Sequence, residues 1–281
     1  MDLTELNQLR RMALKIRIAG LEAVKAAGSG HIGGAFSVAE ILTVLYFKKM
    51  NIRPEAPNWE DRDRFVLSKG HGTVALYPVL AYRGFFGIDH LQTFRKIDSN
   101  LSGHAEMTHI PGVDMSTGSL GQGLSAAVGM ALSGKTTGKN YYTYAITGDG
   151  EIQEGQIWEA AMFAAHYQLD HLIVFVDNNG LQLDGPVKEI MDLGNIAAKF
   201  TSFGWNTISL ADGHDIAAIS EAVDAAKRQK SKPTMIVAQT VKGKGVSFME
   251  NNVAYHGHTP NEKEFEIAFA ELNSQLQGIE G

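Results

Sequence analysis

Four short runs rich in β-branched and aromatic residues dominate the second half of this chain: "YYTYAIT" (141–147), "HLIVFVD" (171–177), "WNTISL" (205–210) and "TMIVAQT" (234–240). Each is one strand long, and helical apolar patterns over 154–168, 192–203 and 214–230 separate them. Parallel neighbours need a crossover of about a dozen residues, usually helical. The alternation therefore predicts βαβ units: an α/β fold with a doubly wound, mostly parallel sheet and helices on both faces. An earlier run, "RFVLS" (64–68), adds a strand, and helices are expected over 6–27, 37–50, 73–83 and 262–277. Ser37 followed by Glu40 reads as a capping box opening the second helix. No repeat, low-complexity segment or Pro/Gly/Ser linker interrupts the pattern, so one domain over 1–281 is expected. Ligands of such sheets sit at the carboxyl ends of strands. The loops after Ser68, Thr147, Val176 and Thr240 are where chemistry is to be sought.

Composition narrows the chemistry. The chain has no cysteine, which removes disulfides, thiolate metal sites and thiol nucleophiles together. A net charge of −6 argues against a nucleic-acid or anionic-membrane surface. No signal peptide and no long apolar run is evident, so a cytoplasmic protein without a membrane segment is expected.

One tempting motif fails its context. Residues 28–33, "GSGHIG", match the dinucleotide fingerprint, but a helical pattern rather than a strand precedes them. A glycine-rich helix end accounts for Gly28, though not for His31 beside it. "KGKG" (242–245) lacks the spacing of a phosphate-binding P-loop.

Two strand ends are more informative. "GDG" (148–150) and "DNNG" (177–180) put Asp149 and Asn179 at the same edge of the sheet. A carboxylate and a carboxamide oxygen are hard ligands that suit Mg²⁺ or Ca²⁺. The flanking glycines allow close backbone approach, and amides around Gly150 and Glu151 can donate to an anion. Alone, each motif reads more readily as a turn. Paired at strand ends, they describe a cradle for a metal and a diphosphate.

GDG followed after 27 residues (151–177) by NN is the signature of thiamine diphosphate enzymes. "SGHIGG" (29–34), "DRDRFVLSKGHG" (61–72), "SGHAE" (102–106), "STGSLGQG" (116–123), "GDGEIQEGQIWEA" (148–160), "DNNGLQLDG" (177–185), "DGHD" (212–215) and "YHGH" (255–258) follow in order. In this the chain resembles the N-terminal, diphosphate-binding half of the transketolases over nearly its whole length. The resemblance implies metal ligation by Asp149, Asn179 and the carbonyl of Leu181. It implies contacts to thiamine diphosphate from His71, Gly118, Leu120, Asp149, Gly150, Glu151 and Asn179. It assigns His31, His71, His104 and His256 to catalysis and puts Glu154 near a subunit interface, coupled to the cofactor-activating glutamate of a second domain. Ala105 and Ile32 stand where the family commonly has other residues, but leave the histidines in place.

In that family the second domain binds the cofactor's pyrimidine ring, and no room for it is found before Gly281. The expectation is a split transketolase, active only with a C-terminal subunit in an α₂β₂ assembly and acting on a sugar phosphate or sulfonated sugar. The rival readings are the α subunit of a 2-oxo acid dehydrogenase, a 1-deoxyxylulose-5-phosphate synthase-like enzyme, and a cofactor-binding scaffold without activity.

Overall fold

The computed structural model describes residues 1–280. Helix α1 (Leu3–Ala27) starts where Asp2 accepts a hydrogen bond from the Glu5 amide and stops at Gly28, whose φ of 67° breaks the helix. Short helices α2 (Ile32–Phe36) and α3 (Ala39–Val44) follow, then strand β1 (Arg64–Leu67) and helix α4 (Thr73–Arg83). Helix α5 (Gln122–Thr136), strand β2 (Thr143–Gly148), helix α6 (Gly155–His166) and strand β3 (Leu172–Asn178) come next. A small antiparallel hairpin joins β4 (Leu181–Gln182) to β5 (Gly185–Pro186). The chain continues through α7 (Val187–Met191), α8 (Ile196–Ser202), β6 (Asn206–Leu210), α9 (Ile216–Arg228), β7 (Thr234–Gln239) and α10 (Glu262–Glu280).

The main sheet has the order β1-β2-β3-β7-β6, and every pairing in it is parallel. Because side chains alternate along a strand, β3 supplies both cores. Ile173 and Phe175 pack with α1, α3, α4 and α9, while Val174 and Val176 pack with α5, α6 and α8. The sheet is covered on both faces, as the strand pattern predicts. Phe175 is fully buried, and truncating such a residue to alanine costs about 3–5 kcal/mol.

Three expectations need correction. The helix expected over 37–50 starts only at Ala39, and its last turn, over Leu45–Lys49, is π-helical. Ser37 and Glu40 form no capping box. Ser37 is buried and donates to the Gly34 carbonyl and to Asp177, and Glu40 is buried against Arg17 and His214. Long-range polar bonds override the local signal. The helix expected over 192–203 is shorter, α8 being capped by Asn195. Helix α5 has no counterpart among the expected elements, because its Gly- and Ala-rich sequence lacks a strong apolar stripe.

Helices α1 and α4 pack closely against each other. Pro78 lies inside α4 and cannot donate to the Val74 carbonyl one turn back. Gly20 of α1 sits against that carbonyl, where a methyl group would overlap it. The missing hydrogen bond and the missing side chain together let α1 and α4 approach closely.

Candidate active site

The loops that follow β1, β2, β3 and β7 meet at one edge of the sheet and line a cleft of about 340 Å³. All the residues singled out from the sequence line it: His31, His71, His104, Gly118, Leu120, Asp149, Gly150, Glu151, Glu154, Asn179, Leu181 and His256. Residues spread over more than 220 positions are thereby brought together.

The floor is a buried polar network centred on Asp177. Its carboxylate accepts from Lys69 Nζ (2.5 Å), Ser37 Oγ (2.7 Å), Asn179 Nδ2 (2.9 Å) and Thr240 Oγ1. Burial alone would raise its pKa, but the Lys69 charge and these bonds hold it below the ordinary carboxylate value. The amide of Asn179 is thus oriented: Nδ2 is used behind, and Oδ1 faces forward, where it accepts from the Leu181 amide (3.1 Å). Lys69 also donates to the Gly34 carbonyl, tying helix α2 to the strand ends.

Asp149 is buried at the end of β2. It accepts from the amides of Gly150 (2.8 Å) and Gly180 (2.6 Å), which brings its carboxylate to the loop carrying Asn179 and Leu181. Burial, and then the nearby Asp177 charge, raise its pKa to about 6. A carboxylate so under-compensated favours a cation. The donor set fits a hard divalent ion: carboxylate, carboxamide oxygen and the Leu181 carbonyl, which already accepts from the Lys242 ammonium (3.0 Å). Among the described residues, no group of three or more His, Asp or Glu side chains is arranged as a metal-ligand cluster.

The four histidine rings form a second group. His31 lies 5.5 Å from His71, 5.9 Å from His104 and 5.8 Å from His256, and His71 lies 5.1 Å from His256, centroid to centroid. Burial and then neighbouring cations keep them neutral. His31 falls to about 4 through burial and Arg95, and His256 to about 3 through burial and Lys242. His71 and His104 are lowered for the same reasons, burial first. Neutral imidazoles can donate at one nitrogen and accept at the other.

The remaining residues shape the walls. Glu151 faces inward, accepting from Ser68 Oγ (2.5 Å) and from the amides of Gly121 and Gly148 (3.0 Å each). Its side chain braces the turn, while its backbone lies at the cleft. Gly118 has a φ of 151°, and a methyl group there would come within 3.1 Å of the His104 ring. Leu120 and Glu154 are exposed at the rim.

Sequence reasoning missed Lys69, Lys242, Asp177 and Arg95. Lys69 and Asp177 carried a signal, since each follows or ends a strand within a recognised motif. Lys242 was visible only as part of a failed P-loop, and nothing near Arg95 marks it.

Residues 9–274 match the family described as "Transketolase, thiamine diphosphate binding domain". The chain belongs to the transketolase family. Within that family it is 48% identical to the 6-deoxy-6-sulfo-D-fructose transketolase subunit SqwG of Clostridium sp. (strain MSTE9), over 95% of this chain and 97% of that protein. It is 39% identical to an apulose-4-phosphate transketolase subunit of Phocaeicola vulgatus, over 92% of each. Human transketolase is 41% identical over 98% of this chain, but only 44% of its own length is covered. The crystal structure of transketolase from Campylobacter jejuni superimposes with a TM-score of 0.90 at 30% identity, covering 99% of this chain and 46% of that one. The chain therefore spans less than half of full-length transketolases and nearly all of the transketolase subunits. The expected recognition, an N-terminal thiamine diphosphate-binding portion of a transketolase, is met. No described helix is long and apolar enough to cross a membrane.

Proposed function

We propose that this chain is the cofactor-anchoring subunit of a two-subunit transketolase, moving a two-carbon ketol unit from an anionic ketose to an aldose. The observation that carries this is the opening of the four neutral imidazoles and the Asp149–Asn179–Leu181 oxygen set into one cleft.

Thiamine diphosphate, when bound, supplies the electron sink for breaking the bond between carbons 2 and 3 of the ketose. Asp149, Asn179 and the Leu181 carbonyl would hold a Mg²⁺ or Ca²⁺ ion together with the diphosphate. The amides of Gly150 and Glu151, the Lys242 ammonium and His71 would contact the diphosphate, and Gly118 and Leu120 would line the ring system. Lys242 suits that role: burial and then the Lys69 charge lower it to about 8, so an approaching anion would stabilise its charged form. His31, His104 and His256 would hold the substrate's hydroxyl and carbonyl oxygens. They would take up the hydroxyl proton as the bond breaks and return it when the acceptor adds. Glu154, exposed at the cleft rim, is free to meet a group from a partner subunit.

A C-terminal subunit that completes the cofactor site, in an α₂β₂ assembly, is supported by the two relatives matched almost end to end, both named as transketolase subunits. Residues 1–281 then act as one diphosphate-binding domain in the cytoplasm. The 48% identity to a sulfofructose transketolase subunit favours a ketose with a sulfonate tail over one with a phosphate tail.

The test is reconstitution of the chain with its partner, Mg²⁺ and thiamine diphosphate, comparing 6-deoxy-6-sulfo-D-fructose with fructose 6-phosphate as donors. Ketol transfer only in the reconstituted pair, with the sulfonate preferred, is expected. Full activity of the chain alone overturns the two-subunit reading, and a phosphate preference overturns the substrate assignment.

A further inference from the structure

We propose that Arg95 is a positioning residue that locks His31 as its Nε2–H tautomer, leaving that N–H as the group His31 offers to substrate. This rests on the transketolase reading for its catalytic meaning, but the lock itself is a property of the chain.

Geometry carries the argument. Arg95 Nη2 lies 3.0 Å from His31 Nδ1. A guanidinium has only donors and stays charged, so the partner nitrogen must be an acceptor. The proton of a neutral imidazole is then left on Nε2. A histidine in this position would otherwise be free to exchange tautomers, and only one of them presents a donor at a given point in the cleft.

Arg95 is held in its pose at a cost, which points to a role beyond filling space. Its φ of 56° lies in the left-handed region, worth about 1–2 kcal/mol of strain for a residue with a side chain. Its Nε is buried without an acceptor among the described residues. The guanidinium lies flat against Gly103, where a methyl group would collide with Nε, Cζ and Nη2. Gly103 directly precedes His104, so the loop carrying one histidine is shaped around the side chain that orients another. A longer contact from Nη1 to Ser29 Oγ (3.4 Å) ties the same guanidinium to the turn before His31.

Of the other ionisable groups near His31, His104 and Lys242 act in the same direction as Arg95, and the His71 and His256 rings lie within 6 Å. Among the described residues, no carboxylate contributes to its shift. The surroundings therefore disfavour the imidazolium, and Arg95 decides which neutral form remains.

The experiment is long-range ¹H–¹⁵N spectroscopy of the full chain labelled with ¹⁵N-histidine, with His31 assigned through His31→Gln. In the wild-type chain at pH 7, His31 should carry its proton on Nε2. Arg95→Met should give a tautomer mixture and move the His31 midpoint from about 4 toward its ordinary 6.5. Arg95→Lys, which keeps a cationic donor, should retain Nε2–H. An Nδ1–H form in the wild type overturns the inference without any variant. So does an Arg95→Met chain with unchanged tautomer and midpoint. In the reconstituted pair, Arg95→Met should lower kcat about tenfold or more with thiamine diphosphate affinity unchanged. If the wild type shows the lock but no ketol transfer with any donor, the functional reading fails and the lock stands. If ketol transfer is found without the lock, the reverse holds.

Discussion

Lys69 and Asp177 form a fully enclosed ion pair, 2.5 Å from Nζ to Oδ2, directly behind the carboxamide of Asn179. A buried pair of this kind stabilises little against an apolar replacement but is costly to break. Lys69→Met should cost about 3–5 kcal/mol in urea unfolding, because Asp177 is left buried and uncompensated. The double variant Lys69→Met with Asp177→Leu should recover much of that loss. A single variant as stable as the wild type would show that water reaches Asp177.

Asp149 is the carboxylate of the proposed metal set, and the protein groups around it under-compensate its charge. Asp149→Ala should lower Mg²⁺-dependent thiamine diphosphate affinity by more than about 100-fold, beyond the loss typical of a supporting group around a metal. Calorimetric titration of the chain checks this, and unchanged affinity removes Asp149 from the metal set.

His31 leaves a pH signature. Between pH 6.5 and about 4 the unfolded chain carries a protonated His31, while the folded chain holds it neutral. Unfolding then takes up a proton, so acidification through this window destabilises the fold. Asp149 acts oppositely: its folded carboxyl binds a proton below about 6, above its ordinary 3.8. The His31 contribution is isolated by subtraction. Urea stability of the wild type should fall more steeply from pH 7 to 4.5 than that of His31→Gln, which keeps an acceptor for Arg95. Parallel curves would refute the buried-neutral assignment.

Gly118 combines a backbone angle that favours glycine with a side-chain neighbour that has no room to spare. Gly118→Ala should cost about 1 kcal/mol or more and lower the melting temperature by a few degrees. By displacing His104 it should reduce kcat more than cofactor affinity. A variant with normal kcat would show that the His104 ring need not stay where it lies.

The sheet was legible because its central strands β2, β3 and β7 are buried on both faces and are rich in apolar and β-branched residues, whereas the edge strand β6 is only partly buried. The strand-end loops followed from the same pattern, and with them Asp149 and Asn179. Local signals failed where distant groups outcompete them. Ser37 looks like a helix cap in sequence, but Asp177, 140 residues later, takes its hydroxyl. Arg95 was invisible for a similar reason: its significance lies in His31, 64 residues earlier, and in the absence of a side chain at Gly103. Lys242 opens "KGKG", which lacks the P-loop spacing, so its charge was passed over although it reaches the cleft from the loop after β7.

The cleft draws its histidines from position 31 and from position 256, with β1, β2, β3 and β7 ending between them. A chain emerging from the ribosome presents His31 early but cannot seat it against His256 until almost the whole sheet has closed. Capture of the proposed cofactor would therefore report that synthesis has passed β7 and His256. A truncated or misregistered chain would hold separate pieces of the cradle and no complete one, so ligand-dependent protection from proteolysis would select finished molecules over unfinished ones.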